Sequence, residues 1–209
     1  MFSIIQAAGW PIWPLIACSV LALALVIERF ISLQRARVLP APLLDEALAL
    51  SRHGLPPPDV VQQLAQSSAL GEVLAAGLRT AAGHRAWDEA DLKAAMESAG
   101  RAVAHRLERY LSALATIASA APLLGLLGTV IGMIEIFGSQ SPGGTTGGNP
   151  AQLAHGISIA LYNTAFGLIV AIPALIFWRY FRARVDGYLL SMELAAEQFA
   201  QHLAQLRRR

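Results

Sequence analysis

The chain has 209 residues, 55% of them hydrophobic and only 14% charged, with a mean hydropathy of +0.49. That balance argues against an ordinary soluble domain and makes the bilayer the first environment to consider. A net charge of only +2, with arginines placed at the ends of apolar segments beside anionic headgroups, points to membrane lipid as a partner and away from nucleic acid, despite a pI near 9.0.

The first element is Gly9–Ile27, which has no charge and reaches the roughly 20 apolar residues that a helix needs to cross the hydrocarbon core. It does not read as a signal peptide. Met1–Ala8 has no Lys or Arg, and the positive flank (Arg29, Arg35, Arg37) follows the apolar run instead. Trp10 and Trp13 mark an interface, while Pro11 and Pro14 fall in the first turns, where a missing N–H costs least. The helix is expected to run past Glu28 and Arg29 to Arg37. Cys18 is alone in this span, so one chain builds neither a disulfide framework nor a cysteine metal cluster.

Short helices follow. Ala41–His53 is stopped by Gly54 and by Pro56, Pro57 and Pro58; Asp59–Gln66 is a second; Ser68 caps a third through Thr80. Asp88 opens a long helix, with Glu89 and Asp91 suited to its positive N-terminal end. No breaker occurs between Leu92 and Pro122, so the second span, Leu111–Phe137, reads as the upper half of one continuous helix.

The loop from Gly138 to His155 carries no Lys and no Arg, although the chain has 16. Basic residues crowd the far ends instead: Arg101, Arg106 and Arg109 before the second span, Arg179, Arg182 and Arg184 after the third, Gly156–Trp178. Positive charge stays on the cytoplasmic side, which puts the loop and the N-terminus outside and the C-terminus inside. Gly143–Gly148 lacks the Lys and the preceding strand of a phosphate-cradling loop and reads as a flexible linker. Beyond the third span, Val185, Leu189, Met192, Leu194, Phe199 and Leu203 recur mostly at helical spacing. They form either a solvated amphipathic tail or, as the length favours, the wall of a helical barrel facing neighbours.

On a helical wheel the second span gathers Ala118, Ala121, Pro122, Gly125, Gly128, Thr129, Gly132 and Glu135 on one face. Leu123, Leu126, Leu127, Val130 and Ile134 lie opposite. In the third span Gly156, Ala160, Asn163, Thr164, Gly167 and Ala174 share a face. Small residues at such spacing let backbones approach closely. The two stripes either pack together or line something. An isolated Thr in lipid bonds a carbonyl three or four residues back. Asn163 is harder to satisfy within its own helix and should face protein or water. Glu135, the one ionisable group well inside a span, lies close to the outer loop, where a water-exposed carboxylate and a functional one are both open readings. The five histidines have no metal-ligand spacing, and no catalytic constellation, metal site or cofactor motif is present.

The run Ala121–Ile134 (APLLGLLGTVIGMI), with Gly156-Ile157-Ser158, Thr164-Ala165-Phe166-Gly167-Leu168 and Ala171-Ile172-Pro173-Ala174, resembles the ExbB/TolQ family of proton-channel subunits, more distantly related to MotA. The resemblance implies an all-α integral membrane protein: three transmembrane helices with long cytoplasmic helical extensions, assembling as a pentameric helical barrel around a pore. It implies a bacterial inner-membrane location, N-terminus periplasmic and C-terminus cytoplasmic. The expected divisions are 1–37 (N-terminus and first span), 38–100 (cytoplasmic helical domain), 101–137 (long helix and second span), 138–155 (periplasmic loop), 156–181 (third span) and 182–209 (cytoplasmic tail).

An ExbD/TolR-like single-span partner with an intramembrane acid, and a TonB-like protein, are the partners so implied. The function that the resemblance implies is to use the proton motive force to energise TonB-dependent transport across the outer membrane. TolQ-like work on envelope integrity, or a non-conducting scaffold for a periplasm-spanning partner, are the alternatives. By position Thr129 and Thr164 match pore-lining threonines of the family, with Asn163 and Glu135 as further candidates on the proton pathway. Gly125, Gly128, Gly132, Gly167, Pro122 and Pro173 are expected in helix packing. Many members have Glu at the position of Ile159, about 140° round the helix from Thr164, so the ionisable step is expected on the partner.

Overall fold

The computed structural model describes residues 10–52, 54–83, 87–138 and 150–208. Met1–Ala8, His53, His84 and the glycine-rich stretch at 143–148 lie outside the described residues. The described elements are helices: α1 (Ile12–Ser32), α2 (Arg35–Val38), α3 (Leu43–Ser51), α4 (Pro58–Ser67), α5 (Ala69–Gly83), α6 (Glu89–Glu108), α7 (Leu111–Gly138) and α8 (Pro150–Arg208). Three helical stretches are long and apolar enough to cross a membrane, within Ile12–Ser32, Glu89–Gly138 and Gly156–Arg208.

The helix starts follow local chemistry. Asp88 and Asp91 close a reciprocal capping box: the Asp91 N–H donates to Asp88 Oδ1 at 2.8 Å, and the Asp88 N–H donates to Asp91 Oδ2 at 3.0 Å. Ser68 Oγ accepts from the Gly71 N–H at 3.0 Å, and Pro58 occupies the first turn of α4.

Two expected continuities are broken. The first helix ends at Ser32 rather than running to Arg37, and the long second helix is interrupted at Arg109 and Tyr110. Neither break has a Pro or Gly. At each, a side chain takes the carbonyl that the next turn would use. Tyr188 Oη donates to Leu33 O at 2.9 Å, and the Arg37 N–H bonds Gln34 O instead. Arg29 Nη1 donates to Leu107 O at 2.8 Å, the acceptor due to the Leu111 N–H in an unbroken helix.

The chain divides into two compact units. One comprises Met1–Glu28 and Tyr110–Tyr180. Its core brings together Leu15 of α1, Ala121 of α7 and Ala171 of α8, with Leu124 and Val170 packed against them. Leu23, Leu123, Val130, Ile134, Ile169 and Ile176 are exposed on its outside. Apolar exposure on that scale suits acyl chains, not water.

The other unit comprises Arg29–Arg109 and Phe181–Arg209. Leu70, Val73, Leu74 and Leu78 of α5, Leu92, Met96 and Val103 of α6, and Val185, Met192, Phe199 and Leu203 of α8 are buried in it. Gly77 brings α5 against α6, since a Cβ there would stand 2.9 Å from Met96 Sδ. Four of the six tail residues expected to face neighbours or water are thus buried within the chain, while Leu194 stays exposed.

Candidate functional site

The small faces of α7 and α8 meet each other. A Cβ on Gly125 would stand 2.7 Å from Asn163 O and 3.0 Å from Thr164 Cα. One on Gly167 would stand 2.6 Å from Ala121 O, and one on Gly128 would stand 2.8 Å from Asn163 Nδ2. Gly132 faces Ala160 at a looser 3.2 Å. Only residues without side chains allow this approach, which is how the glycine stripe sets the geometry of the hairpin. Leu123, Leu126, Leu127, Val130 and Ile134 are on the exposed side, opposite the contact.

Asn163 sits inside the contact at 2% exposure, against Gly128. Thr164 is half-buried at its edge and donates its hydroxyl proton across the interface, Oγ1 to Gly125 O, at 3.2 Å. Gly125 permits that bond by leaving its carbonyl uncovered. Thr129, also half-buried, donates to Leu126 O within its own helix at 2.7 Å.

The two threonines border the same side of the helix pair. Gly128 meets Asn163 and Gly125 meets Thr164. Moving round α8 from Asn163 to Thr164 therefore moves round α7 from Gly128 toward Gly125, and the next position in that direction, about 40° on, is Thr129.

Pro122 is half-buried in α7 and cannot donate to the Ala118 carbonyl, whereas Pro173 of α8 is exposed, away from the packing contact expected for it. Glu135 is exposed near the end of α7 and takes no part in the contact. The Ile159 side chain lies outside the described residues. Among the described residues no group of three or more His, Cys, Asp and Glu is placed to hold a metal ion.

What the sequence did not disclose is the fixing of helix ends in the other unit. Arg29 there is 3% exposed, and Tyr188, buried as well, both donates to Leu33 O and accepts from Arg184 Nε at 3.0 Å. Arg29 reads from sequence as an ordinary flanking charge, and no spacing pairs it with Leu107.

Residues 65–194 match the MotA/TolQ/ExbB proton channel family. The chain is 35% identical over 196 residues to the biopolymer transport protein ExbB-like 3 of Synechocystis, covering 94% of this chain and 90% of that one. It is 32% identical to the biopolymer transport protein exbB1 of Vibrio cholerae, over 81% of this chain and 73% of the relative. A second Synechocystis protein, ExbB-like 1, is 34% identical over 82% of this chain and 66% of its own length.

Proposed function

We propose a function from one premise: the chain belongs to the MotA/TolQ/ExbB proton channel family. It is a channel-type subunit of a transport motor, not an enzyme. In our reading it is the proton-channel subunit of an ExbB–ExbD-type motor that energises TonB-dependent transport across the outer membrane. It sits in the bacterial inner membrane with its N-terminus in the periplasm and its C-terminus in the cytoplasm. It works as a pentamer with an ExbD/TolR-like single-span subunit whose intramembrane acid takes up and releases the proton.

The observation that supports this most directly is the placing of Thr129 and Thr164 along one edge of the α7–α8 contact. Two threonines on the same side of the α7–α8 contact, in a unit otherwise faced with Leu, Ile and Val, give a partner helix a polar strip to meet. No charge of this chain is needed on the path. One elementary charge falling through 100 mV releases about 2.3 kcal/mol, so a few protons per cycle suffice to rearrange a packed interface.

The test is proton flux into vesicles containing the chain together with its single-span partner. Thr129→Val with Thr164→Val should lower the partner-dependent flux about tenfold or more, with the assembly intact. Partner-independent or unchanged flux would refute the assignment. Absence of flux from an intact, native assembly would favour the scaffold reading, which the Ile159 position motivates.

A further inference from the structure

In the unit made of Arg29–Arg109 and Phe181–Arg209, α6 and α8 leave an open groove between them. Its volume is about 480 Å³, inside the range of about 300–1,000 Å³ typical of ligand sites. Val73, Met96, Leu189 and Met192 form an apolar floor. Gly100 widens the middle, since a Cβ there would meet nothing within 4 Å. Methionine side chains re-pack readily around different apolar shapes, which suits a surface that receives another molecule.

The groove is elongated. Its lining runs from Lys93 to Ala104 on α6 and from Leu189 to Glu197 on α8, about 16 Å and about 12 Å along the two helix axes. That length matches about two to three turns of a third helix. The rim is charged: Lys93, Glu97 and Arg101 recur every fourth residue on the α6 wall, and Glu193 and Glu197 stand on the α8 wall. Both cations are engaged, Lys93 with Glu89 at 3.0 Å and Glu197 at 3.5 Å, Arg101 with Glu97 at 2.6 Å. Glu193 has no ion pair or hydrogen bond among the described residues. The uncommitted charge at the mouth is therefore negative.

We propose that this groove docks a basic amphipathic helix of another polypeptide, about three turns long, with apolar side chains on the Met96–Met192 floor and a Lys or Arg against Glu193. Docking of this kind places apolar residues at i, i+3, i+4 and i+7 in the groove. Burial against the floor supplies the affinity, and the exposed carboxylate selects the sign of the partner's charge and speeds encounter. A wholly apolar helix would strip water from Glu193 and return nothing to it. A second copy of this chain fits poorly. Its exposed pair Leu190 and Leu194, one turn apart on α8, is bordered by Asp186, Glu193 and Glu197 and would bring carboxylate to carboxylate.

The experiment uses the full chain in nanodiscs of zwitterionic phosphatidylcholine, which offer a basic peptide no charged surface. The probe is a fluorescent synthetic peptide of about twelve residues, with Leu at i, i+3, i+4 and i+7 and Lys between them. Its anisotropy is compared with that of a counterpart carrying Glu for Lys. The Lys peptide should bind saturably and about tenfold or more tighter than the Glu peptide. Gly100→Trp puts an indole in the groove from a position whose Cβ is unobstructed, and should weaken the Lys peptide about tenfold or more. Glu193→Lys, on the exposed rim, keeps the question open to test should the Trp variant fail to fold. It should weaken the Lys peptide about fivefold or more, and the loss should shrink in about 0.5 M salt.

Absence of saturable binding to the native chain would overturn the proposal. So would equal affinity for the two peptides, or an affinity that both variants leave unchanged. A native chain that refuses the Lys peptide, with a particle mass that falls on Gly100→Trp, would overturn it in favour of a neighbouring copy in the groove.

Discussion

Arg29 donates Nη1 to the Leu107 carbonyl at 2.8 Å with only 3% of the residue exposed, and the long helix breaks two residues later. The guanidinium lies at the C-terminal end of α6, where a cation is favoured by the unsatisfied carbonyls and the helix dipole. Replacing Arg29 with Met should destabilise the detergent-solubilised protein by about 1–3 kcal/mol, the usual cost of leaving a buried acceptor without its donor. Arg29→Lys should recover part of this, since it keeps the charge but loses the planar fork. A thermal midpoint for the Met variant equal to the native one would show that the bond contributes nothing.

Tyr188 makes the matching contact at the other break, from its hydroxyl to Leu33 O at 2.9 Å, while accepting from Arg184 at 3.0 Å. Tyr188→Phe keeps the ring and its packing, so any loss reports the hydroxyl alone. About 1–2 kcal/mol is expected. Proteolysis after Leu33 or Gln34 should also quicken, because the end of α1 loses its tether. If the Phe variant resists protease and heat as well as the native chain, the hydroxyl is not what holds Leu33.

The spans, the helix starts and the small faces are legible in the sequence because each depends on local periodicity or on one capping side chain. Asp88, Ser68 and the glycine stripe are of that kind. What the stripe faces is a different matter: periodicity assigns a residue to a side of its helix and says nothing of what stands there. Thus the same glycines fitted packing and pore lining equally well. In the structure they are used against Asn163, Thr164, Ala121 and Ala160. The breaks at Leu33 and Leu107 escaped for a related reason. Their cause is a donor 155 residues away in one case and 78 in the other, which no local pattern records. The burial of Val185, Met192, Phe199 and Leu203 within the chain is likewise a tertiary fact that their helical spacing alone does not record.

Lys93 supplies a pH dependence. Its ammonium bonds Glu89 at 3.0 Å and lies 3.5 Å from Glu197 of α8. The hydrogen bond to Glu89, joined by the charges of both carboxylates, raises its pKa above the ordinary 10.5. A raised value for a cation means stability that is fully present below the unfolded pKa and is lost as pH climbs through the folded one. Between pH 7 and 9 this residue should therefore leave the unfolding midpoint flat, with the loss beginning only above about 10.5. Glu89→Gln with Glu197→Gln should remove that alkaline step and the accompanying salt sensitivity. An alkaline step of the same size in the double variant would mean that another group sets it.

The glycines should rank by what a methyl group would strike. At Gly125 and Gly167 the obstacle is backbone, Asn163 O at 2.7 Å and Ala121 O at 2.6 Å, so the helices themselves must separate. At Gly128 it is the Asn163 Cβ and amide, both at 2.8 Å, and at Gly132 only the Ala160 Cβ at 3.2 Å. Ala substitution should cost about 1–3 kcal/mol at Gly125, Gly167 and Gly128, where the obstacle is backbone or fixed to it, and little at Gly132. Replacing Asn163 with Gly removes its Cβ as well as its amide and so gives room to a methyl on Gly128, but none to one on Gly125, whose obstacle is a carbonyl. A double-mutant cycle should consequently show a favourable coupling of about 0.5 kcal/mol or more between Gly128→Ala and Asn163→Gly, and a markedly smaller one between Gly125→Ala and Asn163→Gly. Equal couplings in the two cycles would mean that the close approach of α7 and α8 is not governed by the contacts described.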